Sequence, residues 1–153
     1  MIRTLTLMLL LTMSAHANPQ PTPSVEIKAD RVEVTQKSGR IVFHHNVRVT
    51  RGEYRLECET LEAVYKDGQI VRLLASGQVL VKTSDFKARA RRADYDHAQA
   101  QLILSGAPVL SRGQSTLTGK RVLIWLEDER VVIEKATGKI DPKLLKTLRD
   151  TSK

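Results

Sequence analysis

A phrase of 18 residues recurs along the chain with a period near 30 residues, and this repeat limits the possible folds more than any other feature. Residues 39–56, GRIVFHHNVRVTRGEYRL, return as VRLLASGQVLVKTSDFKA at 71–88 and as AQLILSGAPVLSRGQSTL at 100–117. Each copy follows a segment that begins with a small residue: Ala29, Cys58, Ala90 or, after the last copy, Gly119. Their spacings of 29, 32 and 29 residues are typical of stacked supersecondary units.

Within each copy, apolar and polar residues alternate, which is the signal of half-buried β-strands. Turn sequences such as QKSGR and an Asp-Gly pair separate the segments. The pattern predicts an all-β domain over residues 25–135, with a bulge after Gly106, where Pro108 breaks the alternation.

Parity places one set of residues on the interior face of the strands. Most are aliphatic, and the set is Val32, Val34, Ile41, Phe43, Val47, Val49, Leu56, Leu61, Ala63, Leu73, Ala75, Val79, Val81, Phe86, Leu102, Leu104, Val109, Leu117, Val122, Ile124, Val131 and Ile133. By the same parity His45 belongs to this apolar face.

The adjacent pair His44 and His45 could suggest a metal or catalytic site. Successive residues of a strand point to opposite faces, so the two rings cannot bind one ion. His45 aligns with Gly77 and Gly106 in the later copies, which predicts a strand bend or a groove edge at this position. Cys58 aligns with alanines and a glycine, so we interpret it as a small buried hydrophobe.

The sequence has no nucleophile-elbow glycine pattern, no H-E-x-x-H motif and no phosphate-binding glycine loop before a helix. Asp94, Asp96 and His97 are interpreted as solvated turn and surface residues. We therefore expect no enzymatic activity, no metal site and no cofactor.

A cationic segment, Lys87-Ala-Arg-Ala-Arg-Arg-Ala93, lies in a chain of formal net charge +8. As a strand it places Lys87, Arg89 and Arg91 on one face, which is either a solvated outer face or a contact surface for anionic groups. Nucleic acid is disfavoured because the one Trp, three Tyr and two Phe do not alternate with these cations to form a stacking platform.

The two ends of the chain differ from the repeat region. Residues 1–17 combine Arg3, a short apolar run and an Ala-His-Ala site, which predicts a signal peptide cleaved near Ala17 and export as a soluble protein. Residues 18–24 form a Pro-rich extended leader. Residues 136–153 form a tail that is either a short helix, beginning at Asp141 and Pro142, or a partly disordered C-terminal arm.

Three phrases in fixed order resemble a known family. The first, A-D-x-V … I-x-F-x-G-N-V-x-V-x-x-G-x-x-L, is matched by Ala29, Asp30, Val32, Ile41, Phe43, Asn46, Val47, Val49, Gly52 and Leu56, with His45 in place of the family Gly. The second, Y-D … L-x-L-x-G-x-P-V-L, is matched by Tyr95, Asp96, Leu102, Leu104, Gly106, Pro108, Val109 and Leu110. The third, G-x-x-V-x-I-x-L-x-x-x-R-V, is matched by Gly119, Val122, Ile124, Leu126, Arg130 and Val131.

These phrases resemble the OstA-like (LptA) family of periplasmic lipopolysaccharide-transport bridge proteins. The resemblance implies an open, twisted antiparallel β-jellyroll with a V-shaped cross-section, which shields the acyl chains of lipid A. The lipid-binding residues would be Val32, Ile41, Phe43, Val47, Val49, Leu73, Val79, Val81, Phe86, Leu102 and Leu104. Lys87, Arg89 and Arg91 would contact head groups. The alternative is an exported basic module that binds a polyanion through residues 87–93.

The resemblance also implies partners in the periplasm. Unpaired edge strands would dock LptC-like jellyroll domains of the inner membrane, LptD-like domains of the outer membrane, or further copies of the chain, head to tail. The predicted docking edges are Val25 and Ile27 at one end, and Val122, Ile124, Val131 and Ile133 at the other.

Overall fold

The computed structural model describes residues 24–143, which form twelve strands in a single sheet. The strands are β1 (Val25–Lys28), β2 (Arg31–Thr35), β3 (Arg40–Arg51), β4 (Tyr54–Lys66), β5 (Gln69–Lys82), β6 (Lys87–Asp96), β7 (Gln101–Ser105), β8 (Val109–Arg112), β9 (Ser115–Thr118), β10 (Arg121–Trp125), β11 (Arg130–Glu134) and β12 (Thr137–Lys139). Every pairing between them is antiparallel. The all-β, antiparallel prediction is confirmed.

A row of interruptions crosses the sheet at equivalent positions of the repeat. In three strands a pair of consecutive residues adopts positive φ: His45–Asn46 (62° and 49°), Gly77–Gln78 (79° and 46°) and Gly106–Ala107 (77° and 56°). The registers shift at the first two pairs, and the third separates β7 from β8. We call this row the corner. Because bulges bend the strands that carry them, the corner folds the sheet along one line.

The corner divides the sheet into two half-sheets. Half-sheet A contains β2, β7, β10, β11 and residues 40–44, 60–66, 69–76 and 92–96 of the long strands. Half-sheet B contains β1, β8, β9, β12 and residues 47–51, 54–57, 79–82 and 87–89. The four longest strands each contribute to both halves, so the two walls of the fold share one continuous backbone.

Local contacts explain the residues found at the corner. A Cβ atom on Gly77 would lie 2.7 Å from Glu59 Cβ, and one on Gly106 would lie 2.7 Å from Arg91 Cβ. Glycine at positions 77 and 106 leaves space for the side chains of Glu59 and Arg91, which lie on the neighbouring strands. Small residues line the inner side of the corner, where Cys58 and Ala90 are buried. The prediction of a small buried residue at the Cys58 position is confirmed.

His45 is a correction to the parity prediction. It was expected on the apolar face with Phe43 and Val47, but its positive φ turns it out of the alternation, and its side chain is exposed. The predicted bend at this position is confirmed. Asn46 stabilises the bend, since its Nδ2 donates a hydrogen bond of 2.6 Å to Asp30 Oδ2.

Two further expectations are wrong. Val32 and Val34 were predicted in the interior, yet they are 51% and 60% exposed, because β2 pairs only with β3 and nothing covers it among the described residues. Val122 and Ile124 were predicted on an edge, yet β10 lies between β7 and β11. Both side chains are fully buried.

The described chain ends at the start of a helical turn. Pro142 and Lys143 are helical, and Lys143 N donates a hydrogen bond of 2.9 Å to Asp141 Oδ1, as expected of an N-cap. The rest of the predicted tail helix, the predicted signal peptide and the leader before Ser24 lie outside the described residues.

Candidate functional site

An apolar cavity lies between the two half-sheets. Leu73, Ala75 and Leu102 line it from half-sheet A, and Val49, Leu56 and Val81 line it from half-sheet B. The two walls therefore face each other, with the corner at the closed side of the V. The lining follows from the alternation, because every second residue of each long strand points inward.

The cavity is small in this conformation. Its volume is about 70 Å³, whereas an engineered apolar cavity that binds benzene has a volume of about 150 Å³. We therefore expect the half-sheets to move apart when an alkyl chain enters. Buried residues of both walls pack into one hydrophobic cluster.

The predicted lipid-binding residues fall into three groups. Val47, Val49, Val79, Val81, Leu102 and Leu104 are buried in the core, and Phe43, Leu73 and Phe86 are half-buried against it. Val49, Leu73, Val81 and Leu102 also line the cavity itself. Ile41 is half-buried at the edge of the core, and Val32 is exposed.

Polar residues meet at the open margin of the cavity, opposite the corner. Arg51 ends β3 in half-sheet B, and Tyr95 lies near the end of β6 in half-sheet A. Arg51 Nη1 donates a hydrogen bond of 2.8 Å to Tyr95 Oη, and its guanidinium carbon lies 5.9 Å from the centre of the Tyr95 ring. Neither residue was predicted as a site residue, although each has the parity of the interior face.

Tyr54 occupies the same margin, directly opposite Arg51 in the β3–β4 ladder. Burial raises the pKa of its hydroxyl above the usual value, and the charges of Glu53 and Glu129 raise it further. Glu129 belongs to the turn between β10 and β11 in the other half-sheet. The margin thus brings charged and aromatic groups of both walls together above an apolar interior.

Comparison with known proteins identifies the family. A family model described as "LptA/(LptD N-terminal domain) LPS transport protein" matches residues 26–130. The chain belongs to this family of lipopolysaccharide transport proteins. Its resemblance to the OstA-like proteins is thereby confirmed.

The fold of this LptA/LptD N-terminal family member is shared with a solved structure. LptH of Pseudomonas aeruginosa, described as the LptA homologous periplasmic component of the lipopolysaccharide transport device, matches with a TM-score of 0.70 and 17% identity. The match covers 78% of this chain and 96% of LptH. An uncharacterized protein of Rhizobium meliloti (strain 1021) is 22% identical over 137 residues, which cover 80% of this chain and 74% of that protein.

The open ends of the jellyroll are formed by four strands. Among residues 24–143, β1 and β2 pair only with β3, β11 pairs only with β10, and β12 pairs only with β9. Each of these strands has one side without a strand partner. The predicted edge residues Val25 and Ile27 lie on β1, and Val131 and Ile133 lie on β11.

The predicted head-group cations lie on the outer surface of β6, from half-sheet B to the corner, and away from the cavity. Lys87, Arg89 and Arg91 are exposed and alternate with the buried Ala88 and Ala90. Within the described residues none of the three side chains has an ion pair or hydrogen bond. The sheet separates these side chains from the apolar lining.

The described residues contain neither a cluster of metal ligands nor a membrane-spanning helix. In residues 24–143, no group of three or more His, Cys, Asp or Glu side chains lies close enough to hold a metal ion. Nor does any helix there have the length and apolar character to span a membrane. His44 lies 3.8 Å from Glu33, and the His44 and His45 ring centroids are 6.2 Å apart.

Proposed function

We propose that this protein is exported to the periplasm, after cleavage of a signal peptide near Ala17, and carries lipopolysaccharide between the two membranes. In this proposal the acyl chains of lipid A occupy the space between the half-sheets. The chain has no catalytic role and serves as a conduit. The observation that carries the proposal is the apolar cavity between two walls of a lipopolysaccharide transport family member.

The energetics of the lining support a conduit. Burial of an alkyl chain stabilises the complex by about 0.8 kcal/mol for each CH₂ group removed from water. The interior part of the lining, below the polar margin, is aliphatic: Val49, Leu56, Leu73, Val81 and Leu102. Within it, every segment of a tail gains nearly the same stabilisation wherever it lies. Because the binding free energy is then nearly the same at each position, a lipid can move along the walls without being held tightly at any one of them.

The unpaired edges support a bridging role. A strand with free N–H and C=O groups accepts a strand from another chain. We propose that β1 and β2 dock an LptC-like jellyroll of the inner-membrane complex, and that β11 docks an LptD-like jellyroll or a further copy of this chain. The docking residues are then Val25 and Ile27 at one end, and Val131 and Ile133 at the other.

Site-specific photo-crosslinking tests the conduit. Leu73 and Leu74 are neighbours on β5 and have the same side chain, but only Leu73 lines the cavity, whereas Leu74 faces the outer surface beside Asp94. A photoreactive amino acid at position 73 should form lipopolysaccharide adducts, and the same residue at position 74 should form few or none. Equal labelling at both positions, or labelling at 74 alone, would refute transport between the walls.

The unpartnered cations favour a second candidate function, the binding of a polyanion on the outer surface. Arg55 lies opposite Lys82, and Lys82 lies opposite Lys87, across β4, β5 and β6. Lys82 pairs with Glu57 at 3.3 Å, whereas Lys87, Arg89 and Arg91, which follow one another along β6, have no side-chain partner among the described residues. Replacing Lys87, Arg89 and Arg91 together by Gln should lower the salt concentration that elutes the protein from heparin.

A matched triple variant controls for net charge. Arg40, Arg72 and Arg121 each form an ion pair with a carboxylate, Glu62, Asp94 and Glu134 respectively. Their replacement by Gln removes the same charge but no free cation. If both triple variants elute at the same salt concentration, binding depends on net charge alone and the surface is not specific.

A further inference from the structure

The bond between Arg51 and Tyr95 ties together the open margins of the two half-sheets. Arg51 lies five residues beyond the corner pair at 45–46, and Tyr95 lies four residues beyond Arg91 on the opposite wall. The cavity is too small to admit an alkyl chain while the walls are packed. Lipid entry therefore requires this margin to open, and opening separates Arg51 from Tyr95.

Arg51 has an unusual environment for a half-buried cation. Within residues 24–143 its recorded partner is a neutral phenol, and no carboxylate pairs with it. Two acids near this margin are engaged elsewhere: Glu53 accepts a hydrogen bond from Ser84 Oγ, and Asp96 accepts one from Gln99 N. Glu129 also lies near the margin, but among the described residues it forms no ion pair with Arg51. A guanidinium over an apolar interior is better satisfied by an anion, because charge-assisted bidentate bonds are stronger than a bond to a neutral hydroxyl.

We infer that Arg51 is a binding residue for a phosphate group on the head of the bound lipid. When acyl chains enter between the half-sheets, the guanidinium leaves Tyr95 and pairs with a phosphate held at the margin. The apolar tail and the phosphate are thus bound by adjacent parts of one site. This inference rests on the proposed lipid-carrying function, and it assigns the head-group contact to the margin rather than to the outer cations.

The experiment compares two lipids and four forms of the full protein. The lipids are bisphosphorylated lipid A and the same acylated disaccharide without phosphates. The proteins are the wild type, Arg51→Gln, Arg51→Lys and Arg89→Gln, the last of which removes an equal charge from the outer surface. Dissociation constants are measured for each pair, and circular dichroism with thermal melting establishes that each variant is folded.

The wild type should bind the bisphosphorylated lipid about tenfold more tightly than the dephosphorylated lipid, as expected for one charge-assisted pair. Arg51→Gln should lose this preference while still binding the dephosphorylated lipid. Arg51→Lys should keep part of the preference, because lysine retains the positive charge but lacks the planar guanidinium that forms two parallel hydrogen bonds to a phosphate. Arg89→Gln should behave as the wild type.

Several results would overturn the inference. A phosphate preference that survives in Arg51→Gln, or that is lost in Arg89→Gln, places the head-group contact elsewhere. A third result would also contradict the inference. If inorganic phosphate binds in an Arg51-dependent way while the two lipids bind equally tightly, the margin is a site for free anions and not for a lipid head group. Failure of the wild type to bind either lipid would reject the proposed function as well, so the two failures are distinguishable.

Discussion

Arg51 and Tyr95 lie on opposite walls of the jellyroll and meet through a hydrogen bond of 2.8 Å, although 44 residues separate them in sequence. The bond lies at the open side of the V, while the corner forms the closed side. Tyr95 Oη is also 3.4 Å from His97 Nδ1. The fold therefore has a covalently continuous hinge along one side and a polar closure along the other.

Removal of the Tyr95 hydroxyl should weaken this closure. Tyr95→Phe keeps the ring but leaves Arg51 without its acceptor, so we expect a loss of about 1 kcal/mol in the free energy of unfolding. A fluorescent acylated lipid should enter the variant faster than the wild type in stopped-flow measurements. Tyr65→Phe is the matched control, because no hydrogen bond engages its hydroxyl among the described residues. Equal entry rates in the two variants would show that the closure does not limit access.

Substitutions at equivalent corner positions should have opposite effects on stability. Gly77→Ala places a Cβ 2.5 Å from Glu59 Oε2 at a φ of +79°, and we expect a loss of about 1–3 kcal/mol. His45→Gly relieves a non-glycine φ of 62°, and we expect a gain of about 0.5–1 kcal/mol. Urea denaturation measures both changes.

Gly68→Ala separates conformational strain from the steric clash at the corner. Gly68 has a φ of +77°, yet an added Cβ there would meet no atom within 4 Å. It should therefore cost less than Gly77→Ala. If the two alanine variants were equally destabilised, contact with Glu59 would not be the reason for glycine at position 77.

The sequence repeat predicted the corner but not the identity of neighbouring strands. Alignment of His45 with Gly77 and Gly106 located the bend because each copy repeats the same backbone requirement. Alternation reveals which face a residue occupies, but not which strand lies beside it. Strands β8 and β9 belong to half-sheet B, so in half-sheet A β10 pairs with β7 on one side and with β11 on the other. This is why Val122 and Ile124 are central rather than at an edge.

The site was predicted in its apolar part and missed in its polar part. A search for alternating aliphatic residues found Val49, Leu73 and Leu102, which line the cavity. The same search passed over Arg51 and Tyr95, because charged and hydroxyl side chains count as outer residues in a hydrophobic pattern. Their pairing depends on how two distant strand ends meet across the fold, and no local pattern contains that information.

Proline substitution at the β11 edge should separate assembly from folding. Successive N–H groups of an edge strand point alternately toward its partner and away from it, so Val131→Pro and Val132→Pro remove donors on opposite sides. We expect Val131→Pro to weaken head-to-tail association while the monomer stays folded, and Val132→Pro to loosen β11 from β10. Analytical ultracentrifugation and thermal melting measure the two effects. If association were unchanged in Val131→Pro, β11 would not be the docking strand.

The thiol of Cys58 should make stability depend on pH in the alkaline range. Burial, aided by the charge of Glu59, raises its pKa from the ordinary 9.0 to about 11. Below pH 9 the thiol is protonated in both the folded and the unfolded chain and has no effect. Between pH 9 and 11 the unfolded chain releases the proton first, so stability is lost as the pH rises, by up to about 2 kcal/mol.

Cys58→Ala isolates this contribution from the lysines and tyrosines that titrate in the same range. Alanine already occupies the equivalent repeat positions 29 and 90, so the variant should fold with little change in stability at neutral pH. The difference in unfolding free energy between the wild type and Cys58→Ala should then shift in favour of the variant as the pH rises from 9 to 11. Parallel curves over that range would mean that the thiol ionises equally in both states. Cys58 would then be accessible to water at the corner, and the walls would be less tightly closed there than the buried small residues indicate.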